Sequence, residues 1–317
     1  MHVPDHLLND PTEVVAAASA VAVIAAASLV SRRGSDPAAE PLLPRPDRPA
    51  PLLAVAGLVF ALQMVNFPVL SGTSGHLLGG ALATALIGPR RALLAMTAVV
   101  TTQALCFGDG GLAALGVNLW LIAILPVGIA AAVGALTPRR TRLTPLGGPA
   151  LAAVLAPAAS ALAFSLLHGL TSTNADVAAT AGPMLRVHLA IGLGEAAITT
   201  VVLAAVLVVQ RLELPRLSPV AAVWGVAVLS AATLSTVASS SPDGLERVAT
   251  DLGFAVEGPT SILEGGPLQD YAMSGLSGSA ATSVAGLAGL VLVSAVAVAL
   301  VAADRGARRA GDVALTA

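Results

Sequence analysis

Long apolar runs separated by short polar connections dominate the chain. Runs near 13–31, 50–66, 74–88, 91–107, 111–136, 149–168, 183–210, 217–238 and 279–303 reach or approach the roughly 20 residues needed to cross a bilayer. The third is short and Gly-rich, which reads as a tilted or partly re-entrant span. The pattern predicts an all-α fold, a polytopic membrane helix bundle of about nine helices, about seven in a first module and two in a second.

Arginine distinguishes the two ends of these runs. Arg32, Arg33, Arg45 and Arg48, then Arg90 and Arg91, then Arg139, Arg140 and Arg142, then Arg211 and Arg216, then Arg305, Arg308 and Arg309 each follow an odd-numbered run. The alternate connections are Arg-poor, with Arg247 alone in 239–278 and Arg186 isolated near the start of the seventh run. Cytoplasmic loops carry the Lys/Arg excess, so the N-terminus is expected outside and the C-terminus in the cytoplasm. Met1, His2 and His76 then share the outer face. Residues 1–13 contain no Lys or Arg, and the basic pair follows the first run. That is the reverse of a secretory signal, so this run is expected to stay uncleaved.

Composition sharpens the class. Of 317 residues, 56% are hydrophobic and 11% charged, against about 25% charged in a soluble domain. One cysteine, Cys106, excludes an internal disulfide and a thiolate metal cluster and reads as a small buried hydrophobe. A linker at 34–50 carries Pro37, Pro41, Pro44, Pro46 and Pro49, and a second lies at Leu212 to Arg216. They divide the chain into modules 1–212 and 213–317, the latter with an outer loop at 239–279. No nucleic-acid partner is expected.

The candidate chemistry starts at the first two residues. A free amine on Met1, the main-chain nitrogen of His2 and its Nδ1 atom can close a five-membered and a six-membered chelate ring on one ion. A second imidazole such as His76 can complete a four-nitrogen plane. Ionising a backbone amide demands a strongly polarising ion, which points to Ni(II) or Cu(II), with Co(II) behind. Mg(II) and Ca(II) prefer oxygen. The plainer reading leaves His2 as an exposed terminal residue and His76 as a residue on a Gly-rich turn at a helix start.

Met1-His2-Val3-Pro4-Asp5, the run Gln63 to Gly80 containing Gly72-Thr73-Ser74-Gly75-His76, and Gln103 to Gly111 resemble the CbiM/NikM family. These are the substrate-binding membrane components of cobalt and nickel energy-coupling factor (ECF) transporters. His188 to Thr199 is similar to the family's seventh-helix signature. Pro242-Asp243-Gly244-Leu245-Glu246 and Tyr271-Ala272-Met273 resemble the PDGLE domain, itself similar to the small CbiN/NikN components. The resemblance covers nearly the whole chain as a fusion. The chain departs from the family at His6, where Gly is frequent, and at Leu70, where a small residue is frequent.

The resemblance implies capture of Ni(II) or Co(II) from outside by the Met1 amine, His2 and His76. Import would be driven by a transmembrane coupling (T) component and cytoplasmic ATPase subunits. No Gly-x-x-x-x-Gly-Lys-Ser/Thr loop occurs, so the chain reads as the permease and not an enzyme. It also implies that the PDGLE component assists metal loading.

Other polar groups are weighed beside this site. Glu195 lies within an apolar span, where an ionisable group is a functional candidate by default; a coupling role and a structural hydrogen bond to backbone stand equal. His188 is seven positions earlier, roughly 10 Å along the helix, too far for a direct bond to Glu195. Gln103 and Asn118 are expected to hydrogen-bond the metal-site loop. Asp5, Thr73 and Ser74 flank the proposed ligands. His168 reads as interfacial and His6 as exposed. Gly75, Gly79, Gly80 and Ala83 suit close helix packing. Asp243, Glu246, Asp251, Glu257, Glu264 and Asp270 make the 239–279 loop acidic, able to concentrate cations or simply to be solvated.

Two rival classes remain. An ion-coupled secondary divalent-metal transporter needs a driving-ion site within the chain, and Glu195 is nearly alone as an intramembrane acid. An intramembrane metalloenzyme needs a base beside an open metal position, where only Asp5 and Asp10 are near.

Overall fold

The computed structural model describes residues 1–30, 41–43, 49–70, 72–137, 144–171, 176–212, 218–255, 263, 266, 268–271, 273 and 276–316. Arg32, Arg33, Arg45, Arg48, Arg139, Arg140, Arg142, Arg216, Glu257 and Glu264, with most of both predicted linkers, lie outside the described residues.

The chain is an all-α polytopic bundle with one small hairpin. In order it forms α1 (Asp10–Val30), α2 (Ala50–Gln63), β1 (Phe67–Leu70), β2 (Thr73–Gly75), α3 (Gly80–Ile87), α4 (Pro89–Thr102), α5 (Leu115–Asn118) and α6 (Leu125–Leu136). It continues through α7 (Thr144–Thr171), α8 (Val177–Leu212), α9 (Pro219–Ala232), α10 (Gly244–Leu252) and α11 (Gly278–Thr316). Single π-helical segments, Gln103–Phe107 and Leu119–Ile124, extend α4 and join α5 to α6.

Five helical stretches are long and apolar enough to cross a membrane: Asp10–Ala27, Leu115–Leu136, Pro145–Thr171, Val177–Leu212 and Gly278–Ala307. Two shorter apolar helices, Ala50–Gln63 and Pro219–Ala232, join them. The pattern of exposure is that of a lipid-facing bundle. On α8, Leu193 is 66% and Val201 68% exposed, whereas His188 and Glu195 are fully buried. Polar groups in such a bundle turn inward because hydrocarbon offers them no partner.

The run at 74–88 does not form a membrane-length helix. Phe67–Leu70 and Thr73–Gly75 pair as an antiparallel hairpin, and only the 8 residues Gly80–Ile87 are helical, about 12 Å of rise. The physical cause lies at the helix start: Gly79 has φ +87°, a left-handed backbone that L side chains disfavour, and it separates hairpin from helix.

Helix α2 is the centre of the bundle. All but two of its 14 residues are buried, as expected for a helix apolar on every side. It packs against α3, α4, α9 and α11, while α7 pairs with α8 and α1 with α5. Close approach of α11 depends on small residues: a Cβ on Gly289 would overlap the rings of Phe60 and Phe107. Arg90, at the start of α4, pairs with Asp304 near the end of α11. The helices of residues 219–316 are thus part of the same packed body as the earlier ones.

Candidate metal centre

The site is assembled at one end of the bundle by four segments far apart in sequence: the N-terminus, the hairpin and its exit, the turn after α4, and the start of α10. Each is fixed by specific bonds.

The N-terminal strand is clamped by Asn118. Its Oδ1 accepts from Val3 N at 2.7 Å and its Nδ2 donates to Val3 O at 2.9 Å, so one side chain satisfies both main-chain groups of Val3. Gly111 N also donates to Val3 O (3.0 Å), and Asp5 Oδ1 accepts from Ala114 N (3.1 Å). Gly111 has no room for a side chain, because a Cβ there would overlap the Asp5 carboxyl.

The hairpin exit is held by Glu195, whose two carboxyl oxygens accept from Leu78 N (2.9 Å) and Gly79 N (3.0 Å). Gln63 Nε2 donates to Leu78 O at 2.7 Å. Thr73 is buried within β2. Ser74 reaches the later part of the chain: its N–H donates to Pro242 O (2.9 Å) and its hydroxyl to Ser241 O (2.7 Å). Ser239 N in turn donates to Asn66 O at 2.8 Å.

These supports bring Met1 N to 2.7 Å from His76 Nε2. His76 Nδ1 donates to Leu77 O (3.1 Å), which selects the tautomer that leaves Nε2 as the acceptor and potential ligand. Burial, the adjoining Met1 amine and His2 push the His76 imidazole down from 6.5 to about 3, so it stays neutral. Asp243 bridges two roles. Its Oδ1 accepts from Leu245 N and Glu246 N at the start of α10, and its Oδ2 lies 3.2 Å from Met1 N. Burial opposes its ionisation, yet the amine and the surrounding imidazoles hold its carboxyl below the usual range.

His2 adopts a different pose from the one chelation requires. Its ring stacks on His76 with centroids 5.1 Å apart and planes at 21°. Its Nδ1 faces Asp109 Oδ1 at 2.9 Å and its Nε2 faces Gln103 Oε1 at 3.3 Å. Stacked rings offer each other π faces and not lone pairs, so closing the six-membered ring through Nδ1 requires the imidazole to turn away from Asp109. Burial raises the Asp109 carboxyl, but His2, His76 and a hydrogen bond from Tyr271 outweigh it and hold it below its ordinary value.

Tyr271 Oη donates to Asp109 at 2.7 Å and accepts from Gln103 Nε2 at 3.3 Å, and Gln103 Nε2 also donates to Gln63 (2.8 Å). An open cavity of about 730 Å³ meets these groups, with His2, His76, Asp109, Asp243 and Tyr271 on its wall. Sequence reasoning did not single out Asp109, Asp243, Gln63 or Tyr271 as site residues. Asp109 sits in an Arg-poor Gly-Asp-Gly turn and Tyr271 is the chain's only tyrosine, but neither local feature signals that the two meet here.

Of the remaining candidates, Gln103 and Asn118 lie at the site. His188 donates through Nδ1 to Met184 O at 2.8 Å. His6 is exposed with φ 65°, and His168 stacks against Phe164 and Phe254. Among the described residues no three His, Cys, Asp or Glu side chains converge at metal-ligand spacing.

The family profile described as cobalt uptake substrate-specific transmembrane region matches residues 2–213, and the PDGLE domain profile matches 218–305. The chain belongs to the CbiM family. A protein of Archaeoglobus fulgidus assigned as the fused nickel transport protein NikMN is 36% identical over 260 residues, 78% of this chain and 83% of the relative. The cobalt transport protein CbiM 1 of Pelobacter propionicus is 31% identical over 180 residues, 55% of this chain and 79% of the relative. A solved transition metal transporter superposes with TM-score 0.52 at 27% identity, covering 67% of this chain and 94% of that one. As a CbiM family member the chain falls among nickel and cobalt transport proteins, not enzymes.

Proposed function

We propose that the chain captures Ni(II) or Co(II) at the outer face of the cytoplasmic membrane and passes the ion inward as the substrate-specific component of an ATP-driven ECF importer. Residues 1–212 are the metal-binding permease module and residues 213–317 the PDGLE module. A transmembrane coupling component and cytoplasmic ATPase subunits supply the drive.

The observation that carries this reading is the approach of Met1 N to His76 Nε2 at 2.7 Å, beside His2. Three nitrogen donors of the proposed plane are Met1 N, His2 N and His76 Nε2. The fourth, His2 Nδ1, joins when the ring leaves Asp109. The cation exchanges for protons on these atoms, so the geometry that holds the amine against the imidazole prepares the place of the ion.

Metal titration of the purified chain tests the site, with intact mass verifying that Met1 is the first residue. One ion per chain and a planar four-nitrogen spectrum are expected, both lost in His2→Ala, His76→Ala and a variant with one residue added before Met1. Binding that survives both the extension and His76→Ala overturns the chelate. Uptake into vesicles that ceases without the ATPase subunits is expected; uptake that persists without them favours an ion-coupled carrier.

A further inference from the structure

Beside the start of α10, one buried group presents a lone pair to nothing. His188 is fully buried, and among the described residues its Nε2 has no hydrogen-bond partner. The other ring nitrogen is fixed, because Nδ1–H donates to Met184 O at 2.8 Å, one turn back on α8. That bond sets the tautomer and leaves Nε2 as an acceptor.

The position of the ring is defined by its neighbours. A Cβ on Gly244 would lie 3.1 Å from His188 Cε1, so the ring packs under the first residue of α10, adjoining Asp243. One turn further along α8, Ile191 fills the space beside Gly75, the residue before His76. The ring therefore lies beneath the residue that follows Asp243, one turn along α8 from the side chain that packs on the residue before His76. The charges of the Met1 amine and of Asp243 both act on this ring.

We propose that His188 Nε2 is the hydrogen-bond acceptor for the Met1 amine when that amine is a metal ligand, a positioning role for a residue that does not itself bind the ion. This rests on the chelate proposed above. In the arrangement described, the amine donates to His76 Nε2 and lies beside Asp243 Oδ2. One imidazole lone pair cannot accept a hydrogen and bind a metal together, so loading the ion removes the first of these bonds. The coordinated amine keeps two N–H groups. Asp243 accepts one and His188 the other, which leaves neither the amine nor the imidazole with an unpaired buried polar atom. Fixing the amine hydrogens fixes the direction of its lone pair towards the ion.

The test is Ni(II) titration of the full chain, comparing wild type with His188→Ala, His188→Gln and, as a control, His76→Ala. His188→Ala is expected to weaken binding about 10–100-fold, as loss of a group that orients a ligand does, while the four-nitrogen absorption spectrum persists. His188→Gln, whose amide oxygen can accept, is expected to recover much of the affinity. Unchanged affinity in His188→Ala overturns the proposal. So does loss of one imidazole from the count given by X-ray absorption, which would make His188 a ligand. If wild type shows no four-nitrogen spectrum, the chelate itself fails; if only the His188 variants behave like wild type, the chelate stands and this inference falls. Nitrogen NMR of the wild-type histidine rings needs no variant to fold. The His188 Nε2 signal is expected to move to a hydrogen-bonded position on adding diamagnetic Ni(II), and an unmoved signal overturns the proposal.

Discussion

Glu195 receives the main-chain N–H groups of both Leu78 and Gly79, at 2.9 and 3.0 Å, in the middle of an otherwise apolar span. The two amides lie two and three residues after His76, so this carboxyl fixes the segment that leads away from the imidazole. Glu195→Ala leaves two buried donors without partners, each worth about 1–3 kcal/mol. Thermal unfolding in detergent is expected to report a loss in that range per donor, and Ni(II) affinity to fall about 10–100-fold. Glu195→Gln keeps one good acceptor and is expected to fall between. A Glu195→Ala variant with wild-type affinity would show that the loop holds itself.

Asn118 does for the N-terminus what Glu195 does for the hairpin. Asn118→Leu removes both bonds to Val3 while keeping a similar volume, and is expected to destabilise the docked N-terminus by about 1–3 kcal/mol. Labelling of the Met1 amine by an amine-specific reagent measures this directly. Faster labelling in Asn118→Leu than in wild type is expected, and equal rates refute the clamp.

Gly111→Ala probes the same docking by volume instead of hydrogen bonding. The added methyl meets the Asp5 carboxyl and its main-chain nitrogen, so the N-terminal strand must move away. The expected cost is about 1–3 kcal/mol in unfolding, accompanied by loss of metal binding. Binding that is retained would place the ligands elsewhere.

Acid sensitivity has a defined sign and window. The unfolded chain takes up a proton at His76 near pH 6.5, the folded chain only near 3. The unfolded state therefore binds more protons between these values, and the stability of metal-free protein falls as pH drops from 6.5 towards 3. The slope approaches about 1.4 kcal/mol per pH unit. Asp109 and Asp243 act in a lower window: held below 3.8 in the fold, they contribute stability that is present above that value and lost beneath it. A series of unfolding temperatures from pH 7 to 4 is expected to decline, and His76→Gln to flatten the decline above pH 4.5. An unchanged slope in that variant would exclude His76 as its source.

The long helices were legible because a bilayer-length apolar run admits few alternatives: α7, α8 and α11 each contain the run the pattern predicts, though α8 starts earlier and α11 continues well past it. The run at 74–88, expected as a short, tilted or partly re-entrant span, is helical only over Gly80–Ile87 for a physical reason. Phe67-Pro68-Val69-Leu70 is apolar enough to extend a span, but Pro68 and the left-handed Gly72 and Gly79 turn it into a hairpin. The meeting of Met1, His2 and His76 was expected from ring-size chemistry and resemblance, and the three do come together. Asp109, Asp243 and Tyr271 were not, because what gives them a place at the site is their meeting across more than 100 residues of chain, which no local pattern records. The pose of His2 was equally hidden, since Asp109 competes for the very atom that the chelate uses.

Asp109 and Asp243 also set the charge balance of capture. In the proposed chelate a divalent ion enters as one proton leaves the Met1 ammonium and one leaves the His2 amide, while both carboxylates stay. The net charge of the pocket is then the same empty and loaded. Because no net charge is added, such an exchange lets a doubly charged cargo rest at partly buried carboxylates without recruiting a counter-ion.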